Sequence, residues 1–222
     1  MTSQEVTFHV IMYKSAKFIG INRHRLTIDG KGVTTLAAFH GCPLQCEYCL
    51  NPQSWRIDSP LQILTTEEFY NFVKIDNLYF LATNGGITFG GGEPLLHVPF
   101  ILEYYELYGK QWTMNMESSL HVPLKTLQKV YKNVHEWIID IKDLNPEIYL
   151  SYTKKDPKRA INNLKFLLSE GLSEQIMVRV PIIPDYNTEE DTLKTIDLLH
   201  KMGVVHIDHF KYIVREKEKS EI

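Results

Sequence analysis

Residues 33–49 read VTTLAAFHGCPLQCEYC. The first seven are small, β-branched or apolar and carry no charge, which is the composition of a strand buried on both faces. The strand runs directly into Gly41 and then Cys42, Cys46 and Cys49, spaced C-x3-C-x2-C, and the chain has no other cysteine. Three thiols inside eight residues make no disulfide framework, so they read as metal or redox ligands. Chance would place three cysteines at this spacing in on the order of one chain in ten thousand of this length.

Outward from the loop, short apolar segments alternate with amphipathic ones. Strands are predicted at 33–39, 87–89, 112–116, 136–141, 175–180 and 206–212, and helices at 65–73, 99–108, 124–131, 158–170 and 188–202. Thr65-Thr66-Glu67-Glu68 has the pattern of a helix start, and Thr188 precedes Glu190 and Asp191 in another. Gly171 and Gly203 stand where helices stop. Six strands with helices between them imply parallel βαβ units and right-handed crossovers. A closed eight-unit barrel takes about 250 residues. The 222 residues here fit six units, so the expected class is α/β, an open partial (β/α)6 barrel. The chain reads as one domain over 1–222, with an N-terminal extension to about residue 26 and a short charged tail from about residue 214. Functional groups of such sheets gather beyond the carboxyl ends of the strands.

Hydrophobic residues make up 44% and charged residues 23% of the chain, an ordinary globular balance, and the formal net charge is −3. That charge offers no general attraction to nucleic acid or acidic membranes, so neither is expected as a partner. No apolar run reaches the roughly 18–20 residues of a membrane-spanning helix. Residues 1–10 carry Glu5 and lack the basic and apolar regions of a signal peptide, so the expected compartment is the cytoplasm.

Soft thiolates select zinc, copper(I) or iron–sulfur clusters. Three of them hold three corners of a cubane and leave one iron open to a substrate's amino and carboxylate groups. Structural zinc wants a fourth ligand, for which His40 or a distant histidine is the alternative. Three more strand ends carry chemistry. Gly91-Gly92-Glu93-Pro94 follows the second strand, where missing side chains let a ligand approach the backbone. Asp140-Ile141-Lys142 ends the fourth, and its charges follow a core-like Trp-Ile-Ile run. Arg179, set among apolar residues near the end of the fifth, needs an anionic or carbonyl partner.

These motifs resemble the radical S-adenosylmethionine superfamily, and within it the glycyl-radical-enzyme activating enzymes. The likeness runs from Thr27 to about Tyr212. Thr27-Ile28-Asp29-Gly30-Lys31-Gly32 is similar to the T-x-D-G-P-G loop, and Tyr48, Asn51 and Trp55 match the family's Y-C-x-N-x-x-x-W run. The resemblance implies a [4Fe–4S] cluster on Cys42, Cys46 and Cys49. It implies S-adenosylmethionine held by Tyr48, Leu50, Gly91, Gly92, Glu93, Asp140 and Lys142, with Glu117 and Ser118 beside it. Asp140 and the Glu117 region are the expected ligands of a monovalent cation, although Glu117-Ser118-Ser119-Leu120 replaces the family's D-T-N-G. Lys142, Arg179 and Asp29 are the expected catalytic residues, with Asp29 and Arg179 paired. A reduced flavodoxin or ferredoxin is the implied electron donor, and a protein or peptide segment the implied substrate. Two other readings are modification of a peptide or small molecule, and a non-catalytic iron–sulfur electron carrier or redox sensor. A carrier has no need of the Gly91–Glu93 and Asp140–Lys142 cradle.

Overall fold

The computed structural model describes residues 13–213 except 57, 59 and 60. The tail expected from about residue 214, like residues 1–12 of the N-terminal extension, lies outside the described residues. Among the described residues eight strands form one sheet: β1 (Ser15–Leu26), β2 (Val33–Phe39), β3 (Gln62–Thr65), β4 (Gly86–Gly91), β5 (Thr113–Ser118), β6 (Glu136–Asp140), β7 (Ile176–Ile182) and β8 (His206–Lys211). Their order is β3-β1-β2-β4-β5-β6-β7-β8. From β2 to β8 every neighbouring pair is parallel, whereas β1 runs antiparallel to both β2 and β3. The six parallel strands are the six predicted ones, and the sheet does not close. β1 and β3 were not predicted. β1 pairs with β2 from Phe18↔Phe39 to Leu26↔Val33 and so belongs to the same sheet.

Register explains the two faces. Side chains alternate along a strand, and the pairings align Ala37, Phe89 and Met116 on one face. Phe39 extends that face, and Phe18, Phe39, Phe69, Phe89, Phe100 and Tyr104 stack there with ring centroids 4.7–5.9 Å apart. Phe69 comes from α1 (Thr66–Val73) and the last two from α3 (Val98–Leu107). The opposite face carries Thr88 and Asn115, then Glu117, Asp140 and Arg179 toward the carboxyl ends. A polar face inside a folded chain requires partners or a ligand, so the site belongs there.

Caps set the helices. Thr65 and Glu68 form a capping box on α1, and Thr188 and Asp191 form one on α7 (Glu189–Met202), which ends at left-handed Gly203. α6 (Lys158–Ser169) also lies where predicted. α4 is a single turn, Leu124–Leu127, instead of a helix to 131. His135 already bonds across to Met114 through its backbone N–H (2.8 Å) and its ring (3.0 Å), so the chain must turn early to enter β6. α2 (Asn77–Thr83) and α5 (Pro146–Thr153) were not predicted.

Asp76, fully buried before α2, fastens β1 to this layer. Arg23 donates to both its carboxylate oxygens at 2.6 Å, and the His24 ring lies 2.8 Å away. Burial alone would raise its pKa, but Arg23 and His24 outweigh it and hold the carboxyl below its ordinary value. A depressed carboxyl stabilises the fold above the unfolded pKa and loses that effect as pH falls through the folded one. Asp76→Asn is therefore expected to cost about 1–3 kcal/mol at pH 7. In urea titrations the deficit should shrink below about pH 4.

Candidate active site

Beyond β2, Gly41 (φ +100°) turns the chain and its N–H donates to the Ser54 carbonyl at 2.5 Å. The cysteine loop is then pinned around Cys46: Gln45 N–H donates to the Thr153 carbonyl (3.1 Å) and Glu47 N–H to the Tyr152 carbonyl (3.3 Å), both at the end of α5. The Cys49 sulfur accepts from the Asn51 N–H at 3.4 Å, while the Asn51 amide donates to the Gly91 carbonyl at 3.3 Å. All three thiols are free and half-buried. Burial and the nearby Glu93 push Cys42 up to about 12, and burial pushes Cys46 up to about 11 against the pull of Lys142. Among the described residues no three Cys, His, Asp or Glu side chains converge as ligands of a single ion. A cubane asks only that three thiolates reach separate corners, and the donor set fits that group. His40, the alternative fourth zinc ligand, instead places its ring 3.0 Å from the Arg56 carbonyl.

The glycine turn lies directly on this loop. Gly92 N–H donates to the Phe39 carbonyl (2.9 Å) and Glu93 N–H to the Gly41 carbonyl (2.7 Å). A Cβ on Gly92 would stand 2.2 Å from the Gly41 oxygen, and one on Gly91 2.6 Å from Ala38 Cα. The space the glycines leave is thus taken by backbone of the cysteine loop and β2. The glycines bring the two loops together, and Gly91 keeps a positive φ of 86° that favours glycine. Glu93 is fully buried. It accepts from Ser118 Oγ (2.7 Å), Ser119 Oγ (2.6 Å), Ser119 N–H (3.0 Å) and Leu95 N–H (3.3 Å).

Opposite stands Lys142, nearly buried, with Nζ 3.0 Å from Asp140 and 5.9 Å from the Tyr212 ring centroid. Burial pulls its pKa down, but Asp140 and its other neighbours hold the ammonium well above the ordinary lysine value. The loop behind it is fixed by Asn187, whose amide donates to Asp143 (3.0 Å) and to the Pro181 carbonyl (3.2 Å), and by Thr195, which donates to Asp143 (3.0 Å). Tyr48 donates to Asp185 at 2.9 Å, and its ring packs against Tyr152 and Tyr186. Leu50 is exposed.

Asp29 and Arg179 do not form the expected pair. Asp29 is buried under Arg25, which donates to it at 2.5 and 3.3 Å. Arg179 donates to Glu117 and, at 2.8 Å, to the Ile28 carbonyl, with Asp208 3.9 Å away. Register is the reason: Glu117 faces Arg179 across β6 on one face of the sheet, while Arg25 reaches Asp29 from four residues away. Glu117 is therefore neutralised by a guanidinium, and Ser118 is spent on Glu93. Burial still pushes Glu117 upward, with Arg179 opposing. Three contributors were not read from the sequence, Asp143, Asn187 and Tyr152, and Ser119 was read only as part of the altered third-strand motif. Tyr152 alone of the three had a visible signal, since Asn145-Pro146 is a helix start.

An open parallel sheet whose carboxyl end gathers three free thiols, a glycine turn and a buried lysine defines an iron–sulfur α/β enzyme fold. The chain belongs to the Radical SAM superfamily, whose family model matches residues 37–207. The pyruvate formate-lyase-activating enzyme of Staphylococcus aureus (strain USA300) is 30% identical over 174 residues, which span 75% of this chain and 68% of that protein. Among solved structures, Streptococcus suis SuiB bound to S-adenosylmethionine aligns with a TM-score of 0.60 and 12% identity over 80% of this chain and 39% of that one. Native anSMEcpe with bound AdoMet and Cp18Cys peptide aligns with a TM-score of 0.58 and 17% identity, over 81% and 51% respectively. At these identities the two structures establish the fold, and the chain spans about half the length of one and about two fifths of the other. The cofactors of the family are a [4Fe–4S] cluster and S-adenosylmethionine.

Proposed function

We propose that this chain activates a glycyl-radical enzyme, with Cys42, Cys46 and Cys49 as cluster ligands. The observation that carries the subtype is the 30% identity to an activating enzyme across three quarters of the chain. When bound, the cluster and S-adenosylmethionine supply a 5′-deoxyadenosyl radical that takes a hydrogen atom from substrate. The chain's own residues bind and orient. The backbone carbonyls of Gly91, which already accepts from the Asn51 amide at 3.3 Å, and of Gly92 would receive the methionine ammonium, and Glu93 keeps that turn rigid. Lys142, held charged by Asp140, would receive an anionic or hydroxyl group of the cofactor. Tyr48, within the cysteine loop, and Leu50, directly after it, would flank the cofactor. A monovalent cation at Glu117 would compete with Arg179. The electron donor in this reading is a reduced flavodoxin or ferredoxin, and the setting is the cytoplasm. Among the described residues no helix is long and apolar enough to cross a membrane.

A peptide substrate suits the Arg179 fork, which already binds one backbone carbonyl, that of Ile28. A glycine at the tip of a bound segment presents its α-hydrogen without side-chain interference. The test is electron paramagnetic resonance on the reconstituted chain mixed with a candidate glycyl-radical enzyme, S-adenosylmethionine and reductant. A doublet glycyl signal is the expected result. Arg179→Lys, which loses the planar fork, should reduce that signal at least about tenfold while uncoupled cofactor cleavage persists. Deuterium passing from a labelled small metabolite or another peptide into 5′-deoxyadenosine, with no glycyl signal, would overturn the assignment.

A further inference from the structure

The helix that closes over the cysteine loop carries two buried hydroxyls with no partner among the described residues. The carbonyls of Tyr152 and Thr153, at the end of α5, hold the backbone on either side of Cys46. One turn earlier, Tyr149 is 1% exposed, and its hydroxyl is buried without a hydrogen bond, as is that of Tyr152 three residues on. Residues three apart share a helix face. The Thr153 hydroxyl donates to the Tyr149 carbonyl at 2.7 Å and the Ser151 hydroxyl to the Ile148 carbonyl at 2.9 Å, so the two phenols are the hydroxyls of this helix left without a partner among the described residues. A buried phenol bonded to nothing loses its hydration without return, and phenylalanine would fill the same space. The groups acting electrostatically on the Tyr149 hydroxyl are Cys46, Lys142, Glu93 and Asp140, drawn from three strand ends of the site. Tyr149 therefore lies, buried, within electrostatic reach of the strand ends that form the cradle.

We propose that Tyr149 donates a hydrogen bond to a sulfur at the Cys46 corner of the bound cluster and raises its reduction potential. A donor to cluster sulfur draws electron density from it and favours the reduced state. This rests on the three cysteines being cluster ligands and is independent of the substrate.

The test compares the anaerobically reconstituted full chain with Tyr149→Phe. The measurements are iron and sulfide content, midpoint potential by redox titration followed by electron paramagnetic resonance, affinity for S-adenosylmethionine, and melting of the apoprotein. The expected result is a more negative potential at unchanged iron content, with an apoprotein that melts no lower, since an unpartnered buried hydroxyl has been removed. An unchanged potential at full iron content would overturn the proposal. So would weaker binding of S-adenosylmethionine at unchanged potential, which would make the cofactor the acceptor. A wild-type chain that takes up no iron would overturn the cluster assignment beneath it.

Discussion

Cys46→Ala is expected to reduce iron from about four per chain to near zero after anaerobic reconstitution, because a cubane held at only two corners is not retained. Formation of 5′-deoxyadenosine should fall to background with it. The loop itself should survive. Its backbone is held on both sides of Cys46 by α5 and by Gly41 to Ser54, none of which involves the thiol. In the apoprotein the Cys46 thiol is a half-buried group whose ionisation burial opposes, so its removal should change apoprotein stability by no more than about 0.5–1 kcal/mol. The pairing of a lost cluster with an intact fold separates ligation from a structural role. Retention of iron near the wild-type level, or one tightly bound zinc and no iron in the wild-type chain, would reject the three-cysteine site.

The parallel sheet was legible because most of its six strands carry a short apolar run bounded by turn or helix signals, β8 with His-Ile-Asp-His-Phe-Lys being the most polar of them. β2 is the clearest case, with all seven residues buried. β1 was not legible, since its second half, Asn22 to Arg25, is polar and lies where Arg23 can reach Asp76. Its place is decided by pairing with β2, which no local pattern encodes. α5 was missed because it is short and its consecutive apolar residues Ile148, Tyr149 and Leu150 point to different sides of the helix, although its Asn145-Pro146 start was there to be read. The cysteine loop, the glycine turn and the Asp140–Lys142 pair were each visible because they sit at strand ends. Their partners were not. That Arg179 meets Glu117 and not Asp29 follows from which residues share a face one strand apart. That Ser118 and Ser119 turn to Glu93 follows from β4 and β5 being neighbours. Register sets both, and register is a property of the assembled sheet.

Glu93 links these neighbours, and its substitutions should separate by chemistry. The carboxylate accepts four hydrogen bonds in full burial, two at each oxygen. Burial pushes its pKa up, and the Ser119 and Ser118 donors pull it back. Glu93→Ala removes every acceptor at once, leaves the Ser119 N–H without a partner and opens a cavity, so a loss of about 3–5 kcal/mol is expected. Glu93→Gln keeps the shape and one oxygen. Its carbonyl can take the place beside Ser119, where the backbone N–H cannot rotate away. Its NH2 then faces Ser118, whose hydroxyl can rotate to accept, and the Leu95 N–H, whose bond at 3.3 Å is the longest of the four. One long bond is lost instead of four, and the expected cost is about 1–2 kcal/mol. The same order should hold for cofactor cleavage, because Glu93 holds the end of β5 against the turn that carries Gly91 and Gly92. Denaturant titration of the apoproteins and 5′-deoxyadenosine formation by the reconstituted enzymes measure the two effects. An alanine variant as stable and as active as the glutamine variant would show that the four bonds do not hold this turn.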